Sequence, residues 1–261
     1  METAIRECVH EQQQLPPPQR PHEVFEGYQL GDCLRFCFCT DWVVKPHPHS
    51  FSAKFKALAC PEGSVRDWDS GEKADFRHFH HPSKNGLYKH MLRIFAEVNG
   101  TAGFREPEPT SLVIHLRLGD MVDEAAADVQ TMLIRGADPG GVAVKFYPNS
   151  IKSVPELLAN AAMANVSTVH LVGGGCWRRV RSENQDDNCI KSTIYARCVL
   201  RAFEHQGYST TLSMDGENAD EDFYFMTHAK HFIETSGGFS RLAANLVERQ
   251  GGTVYGRRFD A

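Results

Sequence analysis

From residue 112 onward, short apolar runs alternate with stretches whose apolar residues recur at helical spacing, and few folds tolerate that alternation. The pattern predicts strands over 112–117, 168–172, 209–214, 231–235 and 253–255. Between them it predicts helices over 150–164, 189–205, 219–229 and 238–250. Strands separated by helices pair in parallel, because each crossover returns the chain to the same end of the sheet. The expected fold class is α/β: a Rossmann-like parallel sheet with helices on both faces.

Ahead of this region lies a less regular one. Residues 1–22 carry Gln12-Gln13-Gln14 and Pro16-Pro17-Pro18 and are expected to form a disordered tail. Residues 23–107 are read as a small N-terminal α/β domain, with a strand over 34–40 and a helix over 87–98. The glycines and prolines between Gly100 and Pro109 mark the boundary, and 108–261 is the larger domain.

A net charge of -5 argues against a general affinity for nucleic acid or anionic membrane, so any anion site must be local. No run approaches about 18 apolar residues, and no membrane span is expected. The chain as given is expected in the cytoplasm, with the Golgi lumen as the alternative if an N-terminal anchor is missing. Eight cysteines, three of them at Cys33, Cys37 and Cys39, are open to three readings: reduced thiols, disulfide partners, or a zinc site completed by a histidine such as His47 or His78. Asn99-Gly100-Thr101 and Asn165-Val166-Ser167 fit the N-glycosylation sequon, which matters only in a secreted protein.

Three strand ends carry chemistry. In Leu112-Val113-Ile114-His115-Leu116-Arg117-Leu118-Gly119-Asp120, His115 and Arg117 leave an extended backbone by the same face. Arg117 offers a planar fork of donors to a phosphate, His115 can donate beside it, and Gly119 permits a turn into Asp120. The alternative is an ion pair between Arg117 and Asp120. Gly173, Gly174 and Gly175 follow the second strand, where amides could approach a ligand with Arg178, Arg179 and Arg181 nearby; a tight turn with solvated arginines reads equally well. Ser236-Gly237-Gly238-Phe239-Ser240 opens the 238–250 helix, whose free amides and dipole suit an anion, although Ser236 could simply be an N-cap.

His115-Leu116-Arg117-Leu118-Gly119-Asp120 resembles the H-x-R-R-G-D element of the GDP-fucose-dependent fucosyltransferases, especially the α1,2 branch. The run from Asp222 to Ser240 resembles that family's D-F-x-x-M-S-x-C-K-H-x-I-x-x-N-S-S-F-S segment, in the same order along the chain. Leu118 stands where many relatives have a second Arg, Gly237 and Gly238 stand for Ser-Ser, and Arg241-Leu242 stands for a Trp pair.

The resemblance implies a GT-B-like protein that transfers fucose from GDP-fucose, without metal and with inversion, to a glycan or protein hydroxyl. It implies Arg117 as the group facing the β-phosphate. His115, Ser236, Gly237, Gly238, Phe239 and Ser240 would hold the pyrophosphate, and Asp222 would contact nucleobase or ribose. The acceptor base falls among the acidic residues after the first strand, Asp120, Asp123 and Glu124. Two other classes stay open: a nucleotide-sugar-binding protein without turnover, and a zinc-stabilised binding protein.

Overall fold

The computed structural model of the chain describes residues 1–15, 104–140, 149–173, 190–214 and 219–256. Two compact units are present. The first comprises Met1–Val24, Pro107–Gly216 and His228–Ala261; the second comprises Phe25–Glu106 and Glu217–Thr227. The expected strand over 34–40, the helix over 87–98, the cysteine and histidine cluster and the Asn99 sequon lie outside the described residues.

The first unit is built on five parallel strands, β1 (Ser111–Leu116), β2 (Thr168–Gly173), β3 (Ser209–Ser213), β4 (His231–Ile233) and β5 (Thr253–Tyr255). Their order across the sheet is β3-β2-β1-β4-β5. β1 is central and buried along its whole length, as its continuous apolar run requires. Leu112, Val113 and Ile114 are fully buried, each contributing about 1.5–3 kcal/mol of apolar burial before entropy is counted.

The order in which strands are added reverses at one place in this sheet. From β1 the chain steps outward to β2 and β3, then returns to the far side of β1 for β4 and β5. The gap between the carboxyl ends of β1 and β4 is therefore a topological switch point, where loops diverge and leave a crevice.

Helices cover both faces. Leu112, Ile114 and Leu116 join one core cluster with residues of α1 (Glu2–Gln14), α3 (Val129–Arg135), α4 (Val154–Ala164) and α5 (Ile190–His205). Strand alternation sends Val113 and His115 to the opposite face, and there α7 (Gly237–Arg249) packs on β4 and β5. The acidic segment after β1 contains α2 (Asp120–Asp123) and α3. Asp128 caps α3 by accepting from the Thr131 N–H at 2.8 Å, and Gly136 ends it. α4 begins at Val154 rather than at 150, because Ile151 is bridged to Ala137 and Ser153 supplies the cap.

Residues 1–15 correct the expectation of a loose tail. Ile5, Cys8, Val9 and Gln12 form a buried stripe at helical spacing on α1, which packs on α3 and α5. A disulfide joins Cys8 to Cys198 on α5, Arg201 pairs with Glu11, and Arg197 donates to Gln12 at 3.2 Å. The polar composition concealed this stripe because the other positions of a short amphipathic helix face water.

In the second unit, Tyr224 of α6 (Ala219–Thr227) donates to Glu106 at 2.9 Å and stacks obliquely on Phe104. The 219–229 helix, expected in the 108–261 domain, clusters with Phe25–Glu106. Among the described residues no helix is long and apolar enough to cross a membrane.

Candidate functional site

His115 and Arg117 share the face of β1 that looks toward α7, as alternation requires. His115 is buried, 4% exposed, and its imidazole pKa is lowered to about 3 by burial and then by the Arg117 guanidinium. At neutral pH His115 is thus uncharged: it contributes hydrogen-bonding geometry, and Arg117 carries the positive charge. Leu118 leaves by the other face and is buried. A Cβ at Gly173 would lie 2.8 Å from Leu118 Cδ1 and 3.3 Å from the Leu116 carbonyl, so the bare glycine is what lets Leu118 seat against β2. Gly174 and Gly175, with Arg178, Arg179 and Arg181, lie outside the described residues.

Gly119 turns the chain at φ +68°, a conformation that favours glycine. Its N–H donates to the Ser192 hydroxyl at 2.9 Å, which in turn donates to Asp123 at 2.7 Å. The Ser192 N–H adds a second bond to Asp123 at 2.9 Å. Asp123 therefore caps the first turn of α5 from outside that helix and ties it to the loop after β1. Burial pushes the Asp123 carboxyl pKa up, against the opposing pull of the Ser192 bonds and Lys191. Nothing in the sequence pairs Asp123 with Ser192, 69 positions away. Asp120 opens α2, and Glu124 stands exposed at its C-terminal cap.

The exit of β4 is tied to β1 by Thr235, whose hydroxyl donates to the His115 carbonyl at 2.6 Å. The Thr235 N–H donates to the Ser240 hydroxyl oxygen at 3.2 Å, closing the loop onto the first turn of α7. Ser240, read from the sequence as a ligand group, thus also holds the loop. Thr235 escaped the sequence reading because its partner is a backbone carbonyl 120 positions away. Ser236 occupies the N-cap in an extended conformation, yet its side chain makes no cap hydrogen bond. Among the described residues its buried hydroxyl has no hydrogen-bond partner.

Gly237 follows at φ +85° and brings the opening of α7 against Arg117. A Cβ at 237 would stand 3.6 Å from Arg117 Cδ and 4.0 Å from Cζ. Two segments 120 positions apart in sequence are therefore in contact at the switch point.

No family model matches the chain, and no curated protein matches it significantly. Among solved structures, the crystal structure of POFUT1 in complex with GDP is similar over 66% of this chain and 51% of that one, with 12% identity and a TM-score of 0.36. The chain thus spans about half the length of that solved chain. A likeness of this size identifies neither fold nor ligand; the strand order and the Arg117–Gly237 contact stand without it.

What the site can do follows from its donors. The amides of Gly237, Gly238 and Phe239 open α7 and lack carbonyl partners within the helix. The opening of α7 lies against the Arg117 side chain, and the buried Ser236 hydroxyl is adjacent in the chain; together with the positive end of the helix dipole these donors suit an anionic group. Glu234, buried just before this loop, is 3.6 Å from Arg241 of α7, a pair the sequence reading also missed. Asp222 lies on α6 in the second unit.

Proposed function

We propose that the first unit binds a nucleoside diphosphate sugar at the β1–β4 switch point, as the donor half of a GT-B-like glycosyltransferase. GDP-fucose is the proposed donor, and a glycan or protein hydroxyl the acceptor. The observation that carries this reading is the contact between Arg117 and Gly237 at the opening of α7. It joins the two segments whose likeness to the fucosyltransferases was noted separately in the sequence.

In the proposed reaction the acceptor oxygen attacks the sugar's anomeric carbon from the face opposite the diphosphate, and the bond to the β-phosphate oxygen breaks. Charge gathers on the departing diphosphate, where the Arg117 guanidinium and the α7 amides stabilise it without a metal ion. Ser236 supplies a hydroxyl to the same group. Asp120 or Glu124 takes the acceptor proton, since the Asp123 oxygens are occupied by Ser192.

A second reading is a nucleotide-sugar-binding protein without turnover. It is favoured by Leu118, which packs against Gly173 where many of the fucosyltransferases present another Arg to the donor. Of the two compartments raised by the sequence, the disulfide between Cys8 and Cys198 favours the oxidising lumen over the cytoplasm.

Calorimetric titration of the purified chain with GDP, GDP-fucose, GDP-mannose and UDP-sugars, without added metal, tests the donor class. Binding confined to the GDP species is expected. A folded sample that binds none of them overturns the proposal. Release of fucose from GDP-fucose, with or without acceptor, separates the enzyme from the binding protein.

A further inference from the structure

We infer that Asn165 is an N-linked glycan attachment site, on the end of the sheet away from the donor site. The inference rests on the lumenal reading above, which the Cys8–Cys198 disulfide supports. Asn165-Val166-Ser167 is a sequon, and the fold leaves both Asn165 and Ser167 exposed in the turn between α4 and β2. Asn165 takes the left-handed conformation at φ 51° as the C-cap of α4, and its N–H donates to the Ala162 carbonyl at 3.3 Å.

Position in the sheet makes the site compatible with donor binding. The turn leads into the amino end of β2, whereas Arg117 and Gly237 lie past the carboxyl ends of β1 and β4. In a parallel sheet those are opposite edges. Met163, two residues before Asn165, is 64% exposed, more than any other large apolar side chain among the described residues. A glycan beside it would shield that side chain from water.

The modification takes its oligosaccharide from a lipid-linked diphosphate donor. A bond forms between Asn165 Nδ2 and the anomeric carbon, and the bond from that carbon to the diphosphate oxygen breaks. The lipid diphosphate leaves with the electron pair, and the amide gives up one proton.

The test is a peptide map of the full chain made in eukaryotic cells, prepared without reductant and treated with a peptide-N-glycosidase in isotope-labelled water. A linked Cys8–Cys198 peptide pair and a labelled aspartate at position 165 are the expected result. Ser167→Ala should remove the modification while leaving GDP affinity unchanged; it is preferred to Asn165→Gln, which disturbs a left-handed residue. A closed disulfide with bare Asn165 overturns the glycan site and leaves the lumenal reading standing. Free thiols with bare Asn165 overturn both.

Discussion

Arg117 lies against the backbone of Gly237, its Cδ 3.6 Å from where a side chain at 237 would begin. The contact exists because β1 and β4 are parallel neighbours, Leu112 beside His231 and Ile114 beside Ile233, so that both strands deliver their next residues to the same edge. The Thr235 bond to the His115 carbonyl then holds the two exits together.

Arg117→Ala should weaken GDP binding about 100-fold, the scale of a lost charge-assisted contact, while the chain stays folded. Calorimetry of the variant, with circular dichroism to establish the fold, checks this. Unaltered affinity in a folded variant would remove Arg117 from the site.

Gly237→Ala and Gly207→Ala form a matched pair. Both glycines have positive φ, +85° and +87°, so each alanine should cost about 1 kcal/mol of stability through backbone strain. Only position 237 adjoins Arg117; among the described residues a Cβ at 207 meets nothing within 4 Å. Denaturant titrations should therefore show similar losses, with GDP affinity falling only in Gly237→Ala. Equal affinities in the two variants would separate α7's opening from the ligand.

Breaking the tie between α1 and α5 should lower stability by about 2–5 kcal/mol, since the Cys8–Cys198 link closes a separation of 190 positions. Cys8→Ser and Cys198→Ser should melt lower than the parent without reductant. Added reductant should lower the parent and leave the variants where they were. A parent indifferent to reductant would mean that α1 docks through Ile5, Val9 and its polar contacts alone.

His115 makes stability depend on acid. Its folded pKa, about 3, lies below the ordinary 6.5, so between those values the unfolded chain binds the extra proton. The contribution is present in full above about pH 6.5 and is lost as pH falls toward 3, by at most about 1.4 kcal/mol per pH unit. Urea unfolding at several pH values should show a shallower acid loss in His115→Gln than in the parent. Parallel curves would place His115 in contact with water.

Asp123 and Ser192 should behave as one unit. Asp123→Ala removes two bonds at the start of α5 and leaves the Ser192 hydroxyl short of an acceptor, at a cost of about 1–3 kcal/mol. In a double-mutant cycle with Ser192→Ala, the combined loss should be smaller than the sum of the single losses. Strict additivity would show that the two side chains act separately.

Much of this architecture was legible because periodicity reports burial. The strands at 168–173 and 253–255 and the helices opening near 190 and 237 stand where apolar spacing located them, and helices between successive strands imply a parallel sheet. Three elements were hidden for identifiable reasons. α1 exposes most of its polar surface and buries one narrow stripe, and α2 and α3 are too short for a periodic signal, although Asp128 and Gly136 do punctuate α3.

The sequence alone determined the α/β class, the basic pair at the end of β1 and the glycine-rich opening of α7, because strand alternation and local backbone preference act within a few residues. Tertiary structure decided the strand order, and with it that Arg117 meets Gly237. It also decided that His115 is uncharged, that Asp123 is committed to Ser192, that Gly173 makes room for Leu118, and that Cys8 pairs with Cys198. Those outcomes depend on which surfaces are brought together and dried across separations of tens to nearly two hundred residues. No window of local sequence contains both partners.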